Sequence, residues 1–438
     1  MFGYYLQLSV RNFRRNPVLT TLMVLTIAVG IGATMTTLAL YFVLSGNPIP
    51  QKSTQLFYPQ LEPRSLGKDA ELDREPPAQM SRYDAEELLR QKRGDRQALM
   101  SAGSITLQPV GNAAQPFRAM ARYTSADFFP MFDVPLVEGA GWSSADDAAR
   151  ARVAVISQRL ANKLFSDGSA LGRELQLPQG TLRIVGISGD WQPTPRFYDL
   201  TSQAYGGEEQ VLLPFSTSRD LRLDTQGSMS CWGAANDKDP EGNRGVNAPC
   251  TWLQYWVQLD TPQKAADYLT YLGNYSDTQR ASGRFERPNN VRLYDVMGWL
   301  DHKRIVPNDV RLQMWLAFGF LLVCLINTVS LLLAKFLRRS GEIGVRRALG
   351  ASRRDIFQQC LTEAGAIGLV GGIVGLGFAA LGLWLVRQQP DEYARLAHLD
   401  LSTLWLSFAL AVLVSLLAGL LPAWRAMQIP PGLQLKSQ

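Results

Sequence analysis

Four apolar stretches, at about 18–44, 312–335, 364–386 and 402–421, are each long enough to cross a bilayer. A helix rises about 1.5 Å per residue, so about 20 apolar residues span the roughly 30 Å hydrocarbon layer. Between the first two stretches lies a segment of average polarity, 45–311. The fold class this implies is an α-helical membrane protein with four transmembrane helices. A large mixed α/β extracytoplasmic domain is inserted between helices 1 and 2. The mean hydropathy of −0.05 conceals that division, because the polar insert cancels the spans.

The placement of charge orients the chain. The net charge is +6, and the basic residues gather beside the spans. Arg11, Arg14 and Arg15 precede the first; Lys335, Arg338, Arg339, Arg346, Arg347, Arg353 and Arg354 separate the second from the third; Arg425 and Lys436 follow the fourth. The loop between the third and fourth spans sets Asp391, Glu392 and Asp400 against Arg395. By the positive-inside rule both termini and the segment 336–363 are cytoplasmic, while the insert and the loop at 387–401 lie outside. No basic run with interleaved aromatics stands on a soluble segment, so a nucleic-acid partner is not expected. A cleaved signal peptide is the alternative for the first span, but its apolar run of about 27 residues far exceeds the roughly 7–15 of a signal core. A helix of that length is about 40 Å long, so it tilts or projects as a stalk.

Residues 1–17 place Phe2, Tyr5, Leu6, Val10 and Phe13 on one helical face, the pattern of an amphipathic helix on the inner leaflet. In the insert, 47–80 shows no regular pattern, a helix is expected at 82–93, and alternation suggests strands near 103–110 and 116–123. A buried strand, Val153 to Ile156, runs into Ser157, an N-cap for a helix carrying Leu160, Ala161, Leu164 and Phe165. Further strands are expected at 182–187, 210–213 and 253–259. Cys231 and Cys250 both fall in the exterior insert, where a bridge closing a loop of about 20 residues contributes roughly 3 kcal/mol. Two unrelated buried thiols are the alternative; the Gly/Asn/Asp/Pro-rich stretch between them favours the bridge. In the third span Gly368 with Gly372, and Gly371 with Gly375, are small-xxx-small pairs that let other helices approach closely. Asn327 is the conspicuous polar residue within the spans, so no charged ion route is expected.

The cytoplasmic segment 336–363 departs from a plain basic loop. Gly350 stands where a helix ending at Leu349 needs a left-handed residue. Ser352 with Asp355 resembles a capping box for a second helix that continues into the third span. Apolar Ile343, Val345, Leu349, Ile356 and Phe357 are interleaved with the arginines. Two helices meeting at a corner, each joined to a span, are the expected result.

Glu342-Ile343-Gly344-Val345-Arg346-Arg347-Ala348-Leu349-Gly350-Ala351 resembles the signature of the MacB/FtsX-like permeases, membrane subunits of mechanotransmitting ABC transporters. The resemblance continues through Asp355, Ile356 and Glu363-Ala364, and through Pro422-Ala423-Trp424-Arg425-Ala426, Pro431 and Leu435-Lys436. Gln434 and Lys436 depart from the family's usual Pro-x-x-Ala-Leu-Arg ending. The insert is similar to the MacB periplasmic core domain at Tyr123 to Phe132, Gly139, Val153 to Phe165, Leu171-Gly172 and Val185-Gly186-Ile187.

The resemblance implies a permease subunit in a bacterial inner membrane, paired with a second copy or a related permease. Its periplasmic core domain has two lobes. The family's ATPase-docking region maps to Glu342, Ile343, Gly344, Arg346, Arg347, Leu349, Gly350, Arg353, Arg354 and Asp355. A periplasmic adaptor and an outer-membrane channel are further partners of such systems. No Gly-x-x-x-x-Gly-Lys-Ser/Thr occurs in the sequence, and Ser65-Leu66-Gly67-Lys68-Asp69 lacks the first glycine and the hydroxyl. ATP and Mg are therefore expected in a separate ATPase chain, with no cofactor bound here. With His302 and His398 the only histidines, zinc or triad chemistry has little support and no enzymatic site is expected. Two alternatives remain within the resemblance: an FtsX-like scaffold that activates an exterior hydrolase, and a lipoprotein-release permease. A sensor receptor is a third reading, though no kinase or cyclase segment follows any span.

Overall fold

The structure, a computed structural model, describes residues 17–66, 74–108, 115–165, 169–202, 204–234, 238–389 and 401–428. The helix expected at 1–17, the loop at 387–401 and the tail at 422–438 lie wholly or largely outside them. The chain divides into two compact units, Met1–Ser45 with Val306–Gln438, and Gly46–Ile305. Helix α1 (Pro17–Ser45) comes first in the chain.

The second unit is built on one sheet. Its strands are β1 (Leu56–Gln60), β2 (Met80–Ser81), β3 (Arg96–Leu107), β4 (Phe117–Thr124), β5 (Leu136–Gly139), β6 (Val153–Ser157), β7 (Glu174–Leu177), β8 (Gly180–Ser188), β9 (Val211–Pro214), β10 (Thr225–Gln226), β11 (Ser230–Cys231), β12 (Cys250–Gln258) and β13 (Arg292–Asp295). The helices between them are α2 (Arg82–Gln91), α3 (Phe128–Met131), α4 (Ser144–Ala149), α5 (Gln158–Leu164), α6 (Phe215–Asp220), α7 (Pro262–Ala281) and α8 (Val296–His302). The main path runs β13-β1-β12-β3-β4-β9-β6-β8-β5. β4 pairs with β9, and β6 with β8, in parallel, while their neighbours along the path are antiparallel.

Both faces of this sheet are covered. On β12, Leu253, Tyr255 and Val257 enter one core and Trp256 the other; on β6, Ala154 and Ile156 oppose Val153 and Val155. Burial on two faces is why these strands read as unbroken apolar runs instead of alternating ones. Leu88 of α2, Leu160 of α5 and Leu272 of α7 close the first face. The second is aromatic: Trp256 donates its indole N–H to the Tyr198 carbonyl at 3.1 Å, and Tyr58 stacks on Trp299 at 4.0 Å. As expected, Ser157 caps α5 by accepting the Leu160 N–H. Cys231 and Cys250 are bonded to each other across the β11–β12 pairing, in register.

The irregular region expected at 47–80 contains β1, a correction. Pro59 argues against a strand there, since it has no N–H to give a ladder. The β1 ladder to β12 covers only Leu56 and Phe57, however, and Pro59 faces Leu293 of β13 beyond its end.

Two polar devices hold the loops around this sheet. Arg122 of β4 is fully buried, paired with Asp199 at 2.7 Å and with Glu209. Those carboxylates stay ionised despite burial, held below the usual carboxylate range chiefly by the Arg122 charge. Asp147 of α4 accepts from the Ala126 N–H at 2.7 Å and the Trp142 indole at 2.8 Å, tying α4 to the turn after β4. Burial raises its pKa from 3.8 to about 6, against the lowering effect of those two donors.

The folded chain therefore binds this proton more tightly than the unfolded chain. The contribution is present at about pH 4 and is lost, by about 3 kcal/mol at most, as pH rises through 6. Asp147→Asn removes the titration. The difference in urea-unfolding free energy between the chain and that variant should shift toward the variant between pH 4 and 7. A pH-independent difference would contradict the assignment.

In the first unit α1 is joined by α9 (Asn308–Arg338), α10 (Ser340–Ala348), α11 (Arg353–Arg387) and α12 (Leu401–Met427). Among the described residues four helices are long and apolar enough to cross a membrane: α1, α9, α11 and, within α12, Phe408–Met427. The glycines of α11 divide between two neighbours. A methyl group at Gly372 would stand 2.6 Å from the Ala411 Cβ, and one at Gly368 would overlap Ser415, both on α12. At Gly371 and Gly375 it would meet Ile27 at 2.9 Å and the Ala28 carbonyl at 3.0 Å, both on α1. Gly365 and Gly377 face open space. Thr34 adds a hydrogen bond from its hydroxyl to the Ala317 carbonyl at 3.2 Å, linking α1 to α9.

Candidate functional site

The segment between α9 and α11 is a rigid corner, made by two local signals. Only Arg339 separates α9 from α10. At the other end Gly350 has φ +101, the Gly350 N–H donates to Arg347 at 3.2 Å, and the Ala351 N–H donates to Arg346 at 3.0 Å. This pair of bonds satisfies the last carbonyls of α10 in a Schellman motif. Two residues on, the Ser352 hydroxyl accepts the Asp355 N–H while the Asp355 carboxylate accepts the Ser352 N–H, a full capping box for α11. Helix stop and helix start thus follow within three residues, as the sequence indicates.

A chain of charges stitches the corner to the helices on either side. Lys335, near the end of α9, meets Glu363 of α11 at 2.7 Å, and both side chains are buried. Arg339 bridges Glu363 at 3.4 Å and Glu342 of α10 at 3.2 Å. Arg346 continues the line to Glu342 at 3.1 Å and to the Gln359 side chain at 3.0 Å. Arg347 reaches the Met427 carbonyl at the end of α12 at 3.4 Å. Ile343 of α10 and Ile356 of α11 belong to the core of the four helices.

The ten residues nominated from sequence therefore divide by position. Ile343 and Gly344 turn inward, Glu342 and Arg346 belong to the charge chain, Arg347 contacts α12, and Asp355 caps α11. Gly350 makes the bend. Leu349, Arg353 and Arg354 face outward, Leu349 with 83 % of its surface exposed, and Val345, 53 % exposed, lies one turn from Leu349. Sequence reading took Lys335 only as an orienting charge and Glu363 only as a family position. Their pairing depends on the corner bringing the end of α9 to the start of α11, which no local pattern records.

A family model described as the MacB-like periplasmic core domain matches residues 20–268, more than half of the chain. The chain belongs to the MacB/FtsX-like permease family. The model described as FtsX-like permease C-terminal matches residues 314–431, the region that holds the corner. Among curated relatives of this permease, the pyoverdine export ATP-binding/permease protein PvdT of Pseudomonas entomophila is 29% identical over 335 residues, covering 75% of this chain and 44% of the relative. The macrolide export ATP-binding/permease protein MacB of Marinobacter nauticus is 24% identical, covering 69% and 41% respectively. The permease thus spans less than half the length of these relatives. The periplasmic region of MacB from Actinobacillus actinomycetemcomitans aligns with a TM-score of 0.35 at 15% identity, over 58% of this chain and 94% of that region, and no conclusion rests on it.

Proposed function

We propose that this chain is the permease subunit of a MacB-like, mechanotransmitting ABC transporter. ATP hydrolysed by a separate ATPase chain, with its Mg, drives the corner at 336–363. The corner moves α9 and α11, and the α/β unit, hung between the first two spans on the periplasmic side, changes conformation to export or extract a substrate. The relatives named for pyoverdine and macrolide export support export as the outcome. A second copy or a related permease completes the pair, with a periplasmic adaptor and an outer-membrane channel as further partners.

The observation that carries this reading is the corner itself. Its inner face is locked to two spans by buried charge and apolar contacts. Its outer face offers Val345, Leu349, Arg353 and Arg354, an apolar centre with a cationic rim suited to a protein partner. A MacB-type exterior domain favours transport over the hydrolase-activating alternative.

The orientation is testable with Leu349→Cys. A membrane-impermeant maleimide should label this variant in inverted vesicles and leave it unlabelled in intact cells, the native Cys324 and Cys360 being buried. Labelling in intact cells would place the corner outside and end the proposal.

A further inference from the structure

The second unit contains an open cleft of about 980 Å³ that the coupling role does not use. Its walls are α2, α4 and α6, with the start of β3 and residues 239–241 completing it. Acidic and basic side chains both line it, and counting them alone suggests a neutral site. Their partners show otherwise.

The carboxylates of the cleft are held by this chain's own donors, apart from Glu241 Oε1, which is buried and accepts no hydrogen bond among the described residues. Asp147 takes the Ala126 N–H and the Trp142 indole, Asp127 takes the Gln97 N–H at 3.0 Å, and Asp95 takes Lys264 and the Asp260 N–H. Asp220 pairs with Arg152 at 2.5 Å, the Asp239 side chain takes the Glu241 N–H at 2.9 Å, and Glu86 and Glu241 share Arg82. The cations are less satisfied. Among the described residues Lys92 and Arg222 meet no carboxylate within 4.0 Å, and Arg96 donates only to the neutral Gln258 side chain at 3.2 Å.

Arg219 is a second, independent indication. It is buried among the rings of Tyr123, Phe215 and Trp252, at 5.8, 5.8 and 5.6 Å. Two of its nitrogens donate, to the Ser218 hydroxyl and to the Leu223 carbonyl at 2.6 Å. The third, Nη1, has no hydrogen bond among the described residues, and its nearest carboxylate oxygen, on Glu241, is 4.0 Å away. Burial with so little compensation lowers the Arg219 pKa to about 10, so the guanidinium remains charged at neutral pH. A buried cation whose third nitrogen makes only this long ion pair, and no hydrogen bond, favours an incoming anion.

We propose that this cleft binds an anionic amphiphile. Acidic groups of the ligand are held by Lys92, Arg96, Arg219 and Arg222, and its apolar part lies against Leu89 and Phe215. The site stands on the second unit alone and does not depend on how the corner is driven.

The test uses the full chain in nanodiscs of zwitterionic lipid, with empty discs subtracted. The probes are dansyl-Glu-Glu and dansyl-Lys-Lys-amide, followed by fluorescence anisotropy. The acidic probe should bind saturably, at least about tenfold more tightly than the basic one. The double variant Lys92→Glu, Arg222→Glu reverses two exposed charges that make no ion pair among the described residues, so folding is preserved, and it should weaken the acidic probe about tenfold or more. Arg118→Glu, an exposed reversal on β4 outside the cleft, should leave binding unchanged. Absence of saturable binding, equal affinity for the two probes, or an unaffected double variant would each overturn the proposal.

Discussion

Replacing Leu349 with Glu should abolish association of this permease with the proposed ATPase subunit while leaving the permease folded and membrane-inserted. Leu349 is 83 % exposed, in the turn after α10, so the substitution removes little internal packing. An exposed leucine beside a half-exposed Val345 and two arginines resembles the centre of an interface. A central, fully desolvated contact contributes up to about 2 kcal/mol or more, about 30-fold in Kd, and a carboxylate buried in place of the leucine adds its own desolvation cost. Quantitative co-purification from membranes, against Leu349→Ala as the milder control, measures the effect. Normal yield of the complex with Leu349→Glu would remove the outer face of the corner from the interface. Glu342→Lys and Arg346→Glu, charge reversals within the docking region that the resemblance implies, are poorer tests. Both residues belong to the internal charge chain, so loss of a complex would report a distorted corner as readily as a lost contact.

That difference shows what the sequence made legible. Local signals translated directly into structure: apolar length into four helices, Ser352 with Asp355 into a capping box, Gly350 into a left-handed turn, Ser157 into an N-cap. Each is decided by residues within a few positions of one another. The glycine pairs were half legible. Spacing marked Gly368/Gly372 and Gly371/Gly375 as packing positions, but a three-residue offset also rotates the two pairs about the helix, and only the structure shows that they serve α12 and α1 separately. Features that depend on distant partners were not legible. β1 carries Pro59 and is a strand because β12 and β13 flank it. The long helix α7 had a usable signal, Thr261 as N-cap before Pro262 at the first helical position, and its weak amphipathicity hid it. The outward face of the corner was not legible for a related reason. Periodicity places apolar residues among arginines but does not say which of Ile343, Val345 and Leu349 the neighbouring helices will cover.

The charge chain behind that face leads to the second large effect, at Glu363. Its carboxylate serves two cations, Lys335 at 2.7 Å and Arg339 at 3.4 Å, in surroundings that exclude water from both Lys335 and Glu363. Glu363→Gln keeps the shape and removes the charge. The Lys335 ammonium and the Arg339 guanidinium then face each other across a neutral amide, although Arg339 retains Glu342. Removing one partner of a buried pair costs about 3–5 kcal/mol, because the remaining charge stays desolvated. Lys335→Met should cost less than Glu363→Gln, since it leaves Arg339 to neutralise the carboxylate. The double variant Lys335→Met, Glu363→Leu should recover most of the loss, as apolar replacement of a whole buried pair is often neutral or better. Urea unfolding of the purified chain in detergent, with Glu363→Leu as the second single variant beside Lys335→Met, gives the four free energies of the cycle. A coupling energy near zero would mean that the buried charge pair does not join α9 to α11, and that motion of the corner need not reach both spans together. Strong coupling, with single variants that still bind the ATPase but no longer transmit its cycle, is the outcome that a rigid joint requires.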